Sequence, residues 1–282
     1  MIPGYRPVVK HLTDVSRMGY GAMQLAGPHV FGPPADPEEA KRVLVRALDL
    51  GVDHIDTSDF YGPFVTNEII REALHPYDRD LCIVTKVGAR RDDEGNWLPD
   101  FEPESIRRQV HDNLGRLGTD RLGGVNLRLM DPSADFRAQW EVLAELQSEG
   151  LIGDLGLSEV TAEHVATAQE IAPVACVQNQ FNIAQRGDDP LIASLAEQGV
   201  LYVPYFPLGG FTPFDTTELD RIGASYDATG RQVALAWLLQ HSPNILLIPG
   251  TSSVAHLEEN VAARDLVLSD EDVAALDSLH PA

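Results

Sequence analysis

The chain has 282 residues, 44% hydrophobic and 23% charged, and a formal net charge of −22. So acidic a chain excludes nucleic acid, whose phosphates need a basic face, and equally an anionic membrane surface. Met1–Lys10 lacks an apolar core of signal-peptide length, no apolar run reaches the roughly 18 residues of a membrane span, and Cys82 and Cys176 sit in apolar runs as inert core thiols, so a soluble, cytoplasmic protein is expected.

Short apolar runs alternate with amphipathic stretches along almost the whole length. A strand over 18–22 precedes a helix over 37–50, which Asp36-Pro37-Glu38-Glu39 opens with an N-cap and first-turn acids and Gly51 closes. Next come a strand over 52–56, a helix over 66–74, a strand over 81–85 and a helix over 103–117 ending at Gly118. A strand over 123–128 leads to a helix over 135–149, closed by Gly150. A strand over 152–157 leads to a helix over 161–171, opened by Thr161-Ala162-Glu163. The strand over 174–178, helix over 188–198 closed by Gly199, strand over 200–205, helix over 229–241, strand over 245–248 and helix over 253–262 complete the pattern, with one more helix over about 269–279.

Eight strand–helix units in roughly 250 residues, with no linker rich in Pro, Gly or Ser, predict an α/β fold: a (β/α)8 TIM barrel, one domain spanning 1–282. The rival, a doubly wound dinucleotide-binding sheet, needs G-x-G-x-x-G at its first strand–helix turn, and Gly19-Tyr20-Gly21-Ala22-Met23-Gln24 does not supply it.

Barrel chemistry sits at the C-terminal ends of the strands and in the loops that follow. His54-Ile55-Asp56-Thr57 ends the second predicted strand, Tyr61-Gly62 lies in the loop after it, and Thr85-Lys86 ends the third. A phenol beside a buried Lys/Asp pair is a proton donor. The ammonium favours the phenolate and lowers the tyrosine pKa, while the carboxylate keeps the ammonium charged and oriented. Each residue alone reads as a strand-end salt bridge or a surface tyrosine; together on one face of one barrel they read as a site.

With these residues the chain resembles the aldo-keto reductase family over nearly its whole length. The likeness also rests on Gly19-Tyr20-Gly21, Leu155-Gly156-Leu157-Ser158, Val177-Gln178, Tyr205-Phe206-Pro207-Leu208-Gly209, Ile248-Pro249-Gly250-Thr251 and Glu259-Asn260. The runs Gly21-Ala22-Met23-Gln24-Leu25-Ala26-Gly27-Pro28, Val125-Asn126-Leu127-Arg128 and Pro207-Leu208-Gly209-Gly210-Phe211-Thr212-Pro213 are similar to those of its small bacterial pyridoxal reductases. The resemblance implies hydride transfer from NADPH, with NADH as the alternative dinucleotide, to a small aldehyde, pyridoxal in the first place. Tyr61 would donate the proton, tuned by Lys86 and Asp56. A broad aldehyde or ketone reductase, and a nicotinamide-binding regulatory subunit without turnover, are the alternatives. No metal is implied, and a monomer is favoured.

The family's usual histidine at the end of strand 4 is here Arg128. An arginine polarises a carbonyl, binds a substrate anion, or pairs with an acid such as Asp131; Asn126, on the same strand face, is a neutral donor in its place. Family likeness assigns Gly21 to the cofactor site, Ser158 and Gln178 to the nicotinamide carboxamide, Tyr205 to stacking on its ring, and Pro207, Leu208 and Gly209 to the pyrophosphate. Gly250, Thr251, Ser252, Ser253, His256, Glu259 and Asn260 match the adenosine-phosphate pocket. Glu159 stands where relatives commonly have asparagine, and the Lys and Arg that many carry at the positions of Gly250 and His256 are missing. Phe60 and Trp97, with Phe64 and Phe206 as further candidates, are expected to form an aromatic substrate wall.

Overall fold

The computed structural model describes residues 10–78, 80–211 and 215–279. The segment before Lys10 and the pair Thr212-Pro213 therefore lie outside the described residues. Seven parallel strands run in the order β1 (Tyr20–Gly21), β2 (His54–Asp56), β3 (Cys82–Val87), β6 (Leu122–Arg128), β7 (Ile152–Ser158), β8 (Cys176–Gln178) and β9 (Leu201–Tyr202). The eighth position is taken by residues 245–247, which make parallel bridges from Ile245 to Tyr202 on one side and from Leu247 to Met18 on the other. The sheet thereby closes into the expected (β/α)8 barrel. The strand expected over 245–248 contributes isolated bridges only, and the first strand shortens to two residues.

Helices α1 (Pro37–Asp49), α2 (Val65–Leu74), α3 (Pro103–Leu117), α4 (Arg137–Ser148), α5 (Ala162–Gln169) and α6 (Asp189–Glu197) follow their strands. After β9 come α7 (Thr217–Gly223), α8 (Gly230–His241), α9 (Val254–Ala262) and α10 (Asp270–Leu279). Asp36 caps α1 by accepting from the Glu39 N–H, and Thr161 caps α5 through His164. The expected helix-closing glycines all turn left-handed; at Gly118 (φ 68) an added Cβ would also meet Arg71 Nε at 2.8 Å.

Short 3-10 turns aside, a hairpin and one helix lie outside the expected pattern. The loop after β3 folds into a hairpin, β4 (Ala89–Arg91) against β5 (Trp97–Pro99), and α7 precedes α8. The hairpin has no apolar alternation; polar contacts hold it. Arg91 donates to the carbonyls of Gly95 and Val30, and Asp92 accepts from the Asn96 backbone and side chain.

Strand alternation divides the core and places the site. Ile83, Val125, Leu127, Leu155, Leu157 and Val177 point outward and join the main cluster with the helices, while Cys82, Val84 and Cys176 join a smaller cluster with Val203, Leu246 and Ile248. Lys86 shares its face with Cys82 and Val84, two residues on each time. Register pairs Lys86 with Asn126, Asn126 with Gly156, and Arg128 with Ser158, which pairs in turn with Gln178. Period two thus carries the polar strand ends to the top of the barrel interior.

Candidate active site

The floor of the site is a buried chain of charge and amide. Lys86 Nζ donates to Asp56 Oδ1 at 2.5 Å and to the Thr57 carbonyl at 3.0 Å, and Gln178 Nε2 donates to Asp56 Oδ2 at 2.8 Å. All three side chains are buried, and the two ions balance each other in the dry interior. Burial works against the Lys86 ammonium, but Asp56, followed by Tyr61, outweighs it and raises the pKa above the ordinary lysine value.

Tyr61 enters from the loop after β2, where its N–H donates to the Ser58 carbonyl and the Phe64 N–H donates to that of Asp59. Its ring centroid lies 5.2 Å from Lys86 Nζ. Burial is the largest influence on this phenol and raises its pKa; Lys86 and Arg128 pull the other way without cancelling it. The expected net lowering is therefore corrected: the cation eases the proton's departure from a group that burial holds protonated.

A cavity of about 400 Å³ opens above this floor, lined among others by Asp56, Tyr61, Lys86 and Gln178. Phe60 and Trp97 form its aromatic wall, their centroids 5.4 Å apart and edge-on, and Phe60 meets Tyr61 in the same way at 5.5 Å. Arg91 sits over the Trp97 ring at 4.1 Å, so the hairpin positions that wall. Phe206 lines the cavity too, whereas Phe64 is not part of its lining and packs on Arg116 at 3.7 Å.

Arg128 lines the cavity half-buried. It donates to Ser158 Oγ at 3.3 Å and lies 5.6 Å from the Tyr205 ring centroid. It makes no pair with Asp131, which instead accepts from Ser133. Tyr205 lines the cavity and donates its hydroxyl to Glu159 Oε1 at 2.5 Å, with Glu159 held at φ 63. Glu159 thus tethers the tyrosine expected to stack on the nicotinamide.

Other expectations are not met by the lining. Asn126 and Ser158 are buried beside the cavity rather than in its wall: the Asn126 Oδ1 accepts from the Cys176 thiol, and Ser158 is taken by Arg128. Gly21, Pro207, Leu208 and Gly250 line it, but Gly209 does not; Gly210 takes that place. Thr251, Ser252, Ser253 and Asn260 line neither this cavity nor a second one of about 360 Å³, which includes His256 and Glu259. The Thr251 carbonyl accepts from the Tyr20 hydroxyl, and its own hydroxyl from the Ser253 N–H, so that loop is braced from within.

The site fits a nicotinamide dinucleotide on two counts. Gln178 Oε1 is buried without a partner among the described residues and lies in the cavity lining, an acceptor suited to a carboxamide N–H. Gly21 and Gly250 bring two backbones together: an added Cβ at Gly21 would meet the Ile248 carbonyl oxygen at 2.5 Å, and one at Gly250 the Gly21 oxygen at 2.6 Å. Side chains are thereby kept off the wall on that side.

The sequence reading missed a polar network behind the Tyr61 loop. Thr57 Oγ1 donates to Asn67 Oδ1, Asn67 Nδ2 reaches Asn113 and Asp59, Thr85 Oγ1 donates to Asn113, and Arg116 pairs with Asp59. Burial pushes the Asp59 carboxyl up to about 7 against the pull of Arg116. The available signal was asparagine on the buried stripe of two amphipathic helices, at positions 67 and 113. Met23, Gln24 and Met130 also line the cavity; the first two lie in a run that carries the family likeness but were assigned no role, and Met130 carried no signal.

Among the described residues no helix is long and apolar enough to cross a membrane. Residues 17–281 match the model of the aldo/keto reductase family. The chain is 59% identical to the pyridoxine 4-dehydrogenase of Escherichia coli (strain K12) over 272 residues, 94% of this chain and 95% of that one. A thermostable aldo-keto reductase solved with the inhibitor epalrestat aligns with a TM-score of 0.83 at 30% identity, over 94% of this chain and 95% of that one. An aldo-keto reductase solved in complex with NADPH aligns with a TM-score of 0.79 at 25% identity, over 96% of this chain and 86% of that one.

Proposed function

The chain belongs to the aldo/keto reductase family, and we propose that it uses NADPH to reduce a small aldehyde, pyridoxal before others, with Tyr61 as proton donor. The observation that carries this reading is the Gln178–Asp56–Lys86 chain beside Tyr61 on the floor of an aromatic-walled cavity.

When bound, the dinucleotide supplies the hydride. Gln178 would hold the carboxamide, Tyr205 the ring face, and Pro207, Leu208 and Gly250 the length of the chain toward the second cavity. The protein's own part is the proton. Tyr61 carries its proton at neutral pH as any phenol does, and burial, which raises its pKa, holds it there against the pull of Lys86. As the carbonyl oxygen becomes an alkoxide it takes that proton, and the phenolate left behind is stabilised by the Lys86 ammonium. Asp56, held by Gln178, keeps the ammonium charged and fixed, so no reorganisation is needed when charge develops.

Arg128 brings a permanent charge to the wall where the family's usual residue is an imidazole. Having no carboxylate partner among the described residues, it is free to meet an anionic oxygen on the substrate. Pyridoxal carries such an oxygen next to its aldehyde, and its flat ring suits the Phe60–Trp97 wall.

The test follows NADPH oxidation at micromolar enzyme with pyridoxal and a panel of simple aldehydes. Tyr61→Phe should lose roughly 10²-fold or more in kcat, in line with general acid catalysis, while NADPH affinity is kept. Turnover equal to that of Tyr61→Phe would leave a nicotinamide-binding protein without chemistry. Equal kcat/KM across the panel would replace pyridoxal by broad aldehyde reduction.

A further inference from the structure

The loop following the eighth strand position cannot carry the cation that relatives place at Gly250. A lysine there begins with a Cβ, and that atom would sit 2.6 Å from the Gly21 backbone oxygen. His256, the second cation position, is exposed on α9. Yet the chain has 43 acids against 21 lysines and arginines, so the added 2′-phosphate of NADPH meets a repulsive long-range field.

The second cavity supplies an answer from another element. Its wall includes His256 and Glu259 from α9, Thr229, Gly230 and Arg231 from the start of α8, and Thr216 and Asp220 from α7 and its N-cap. Its carboxylates are already engaged: Glu259 Oε1 accepts the Thr229 hydroxyl at 2.5 Å, and Asp220 accepts the Gly230 N–H at 3.0 Å and the Thr216 hydroxyl at 2.9 Å. Arg231 is exposed, and its guanidinium has no hydrogen-bond or ion-pair partner among the described residues. Nearby arginines behave otherwise, Arg221 pairing with Glu218 and Arg264 with Asp265.

We propose that Arg231 grips the 2′-phosphate and so selects NADPH over NADH, replacing from α8 the cations that the loop and α9 lack. The inference rests on the dinucleotide reading above and adds a residue to it. A guanidinium stays charged at every working pH and offers two parallel N–H donors to a phosphate, a contact that the 2′-hydroxyl of NADH cannot return. His256 stands on the same wall as a second donor.

Calorimetric titration of the enzyme with NADPH, NADH, 2′,5′-ADP and 5′-AMP reads this without turnover. Arg231→Ala should weaken NADPH and 2′,5′-ADP about tenfold or more, about 1.4 kcal/mol, and leave NADH and 5′-AMP within about twofold. Arg231→Lys should recover part of the loss, and Arg231→Ala combined with His256→Arg should recover most of it. Equal weakening of NADPH and NADH, or an NADPH Kd moved by less than about twofold, overturns the assignment while leaving the dinucleotide reading intact. Wild-type enzyme that binds neither dinucleotide overturns both.

Discussion

The proposed chemistry turns on one hydroxyl pulled two ways. Burial raises the Tyr61 pKa above its ordinary value, and Lys86 and Arg128 offset only part of that. Reduction needs the phenol and oxidation needs the phenolate, so the two directions must differ in pH dependence. With pyridoxal and NADPH, kcat/KM should stay flat from about pH 6 to 9, below the pKa. With the alcohol and NADP, it should rise with pH over the same range. A reductive limb that falls near neutrality would mean that the cations win and that the tyrosine ionises early. Asp56, Tyr61 and Lys86 were legible in the sequence because each stands at or just after a strand end, where position implies orientation. The direction of the shift was not legible: it depends on how completely the Phe60–Trp97 wall and the barrel floor remove water, which no local motif encodes. Nor was the Asp59–Asn67–Asn113 network, whose members come from three elements and meet only after α2 and α3 pack.

Strands near the site are held together by what they lack. Gly156 on β7 lies between Asn126 and Cys176, and an added Cβ would stand 2.0 Å from Asn126 Oδ1 and 2.5 Å from Cys176 Sγ. Gly156→Ala should therefore cost about 1–3 kcal/mol in urea unfolding, the usual range for an overpacked core. Gly199→Ala is a useful contrast: nothing lies within 4 Å of its added Cβ, so its cost comes only from the left-handed backbone. A Gly156→Ala loss below about 0.5 kcal/mol would argue against crowding there, since Gly156 has no left-handed backbone to add to the cost. Helices were easier to read than strands here. An apolar stripe with an N-cap such as Asp36 or Thr161 and a closing glycine is a local signal, and those helices form with ends within a few residues of expectation. The eighth strand position is decided by pairing instead. Residues 245–247 sit between Met18 and Tyr202 and bond to each through single bridges, a matter of barrel closure rather than of the run's own pattern. The β4–β5 hairpin was hidden for the converse reason: its strands rest on Arg91 and Asp92 contacts and carry no periodic apolar face.

At the scale of the whole molecule, fold and charge oppose each other in cofactor capture. The barrel gathers Lys86, Arg128 and, from α8, Arg231 at its cavities, while the chain as a whole carries −22. The global field acts over the approach of an anionic dinucleotide, and salt screens it within a Debye length of about 10 Å at 0.1 M. The local cations act only after arrival. Association and dissociation should thus answer to different charges. Stopped-flow measurement of NADPH binding should show the association rate rising severalfold between about 20 and 200 mM salt, the reverse of an electrostatically steered enzyme. Arg231→Ala should act chiefly on dissociation, because one guanidinium barely alters a field set by an excess of 22 acidic charges. An association rate that falls with salt would show that the cavities' own field reaches past the acidic surface, and capture would then begin with the cations rather than end with them.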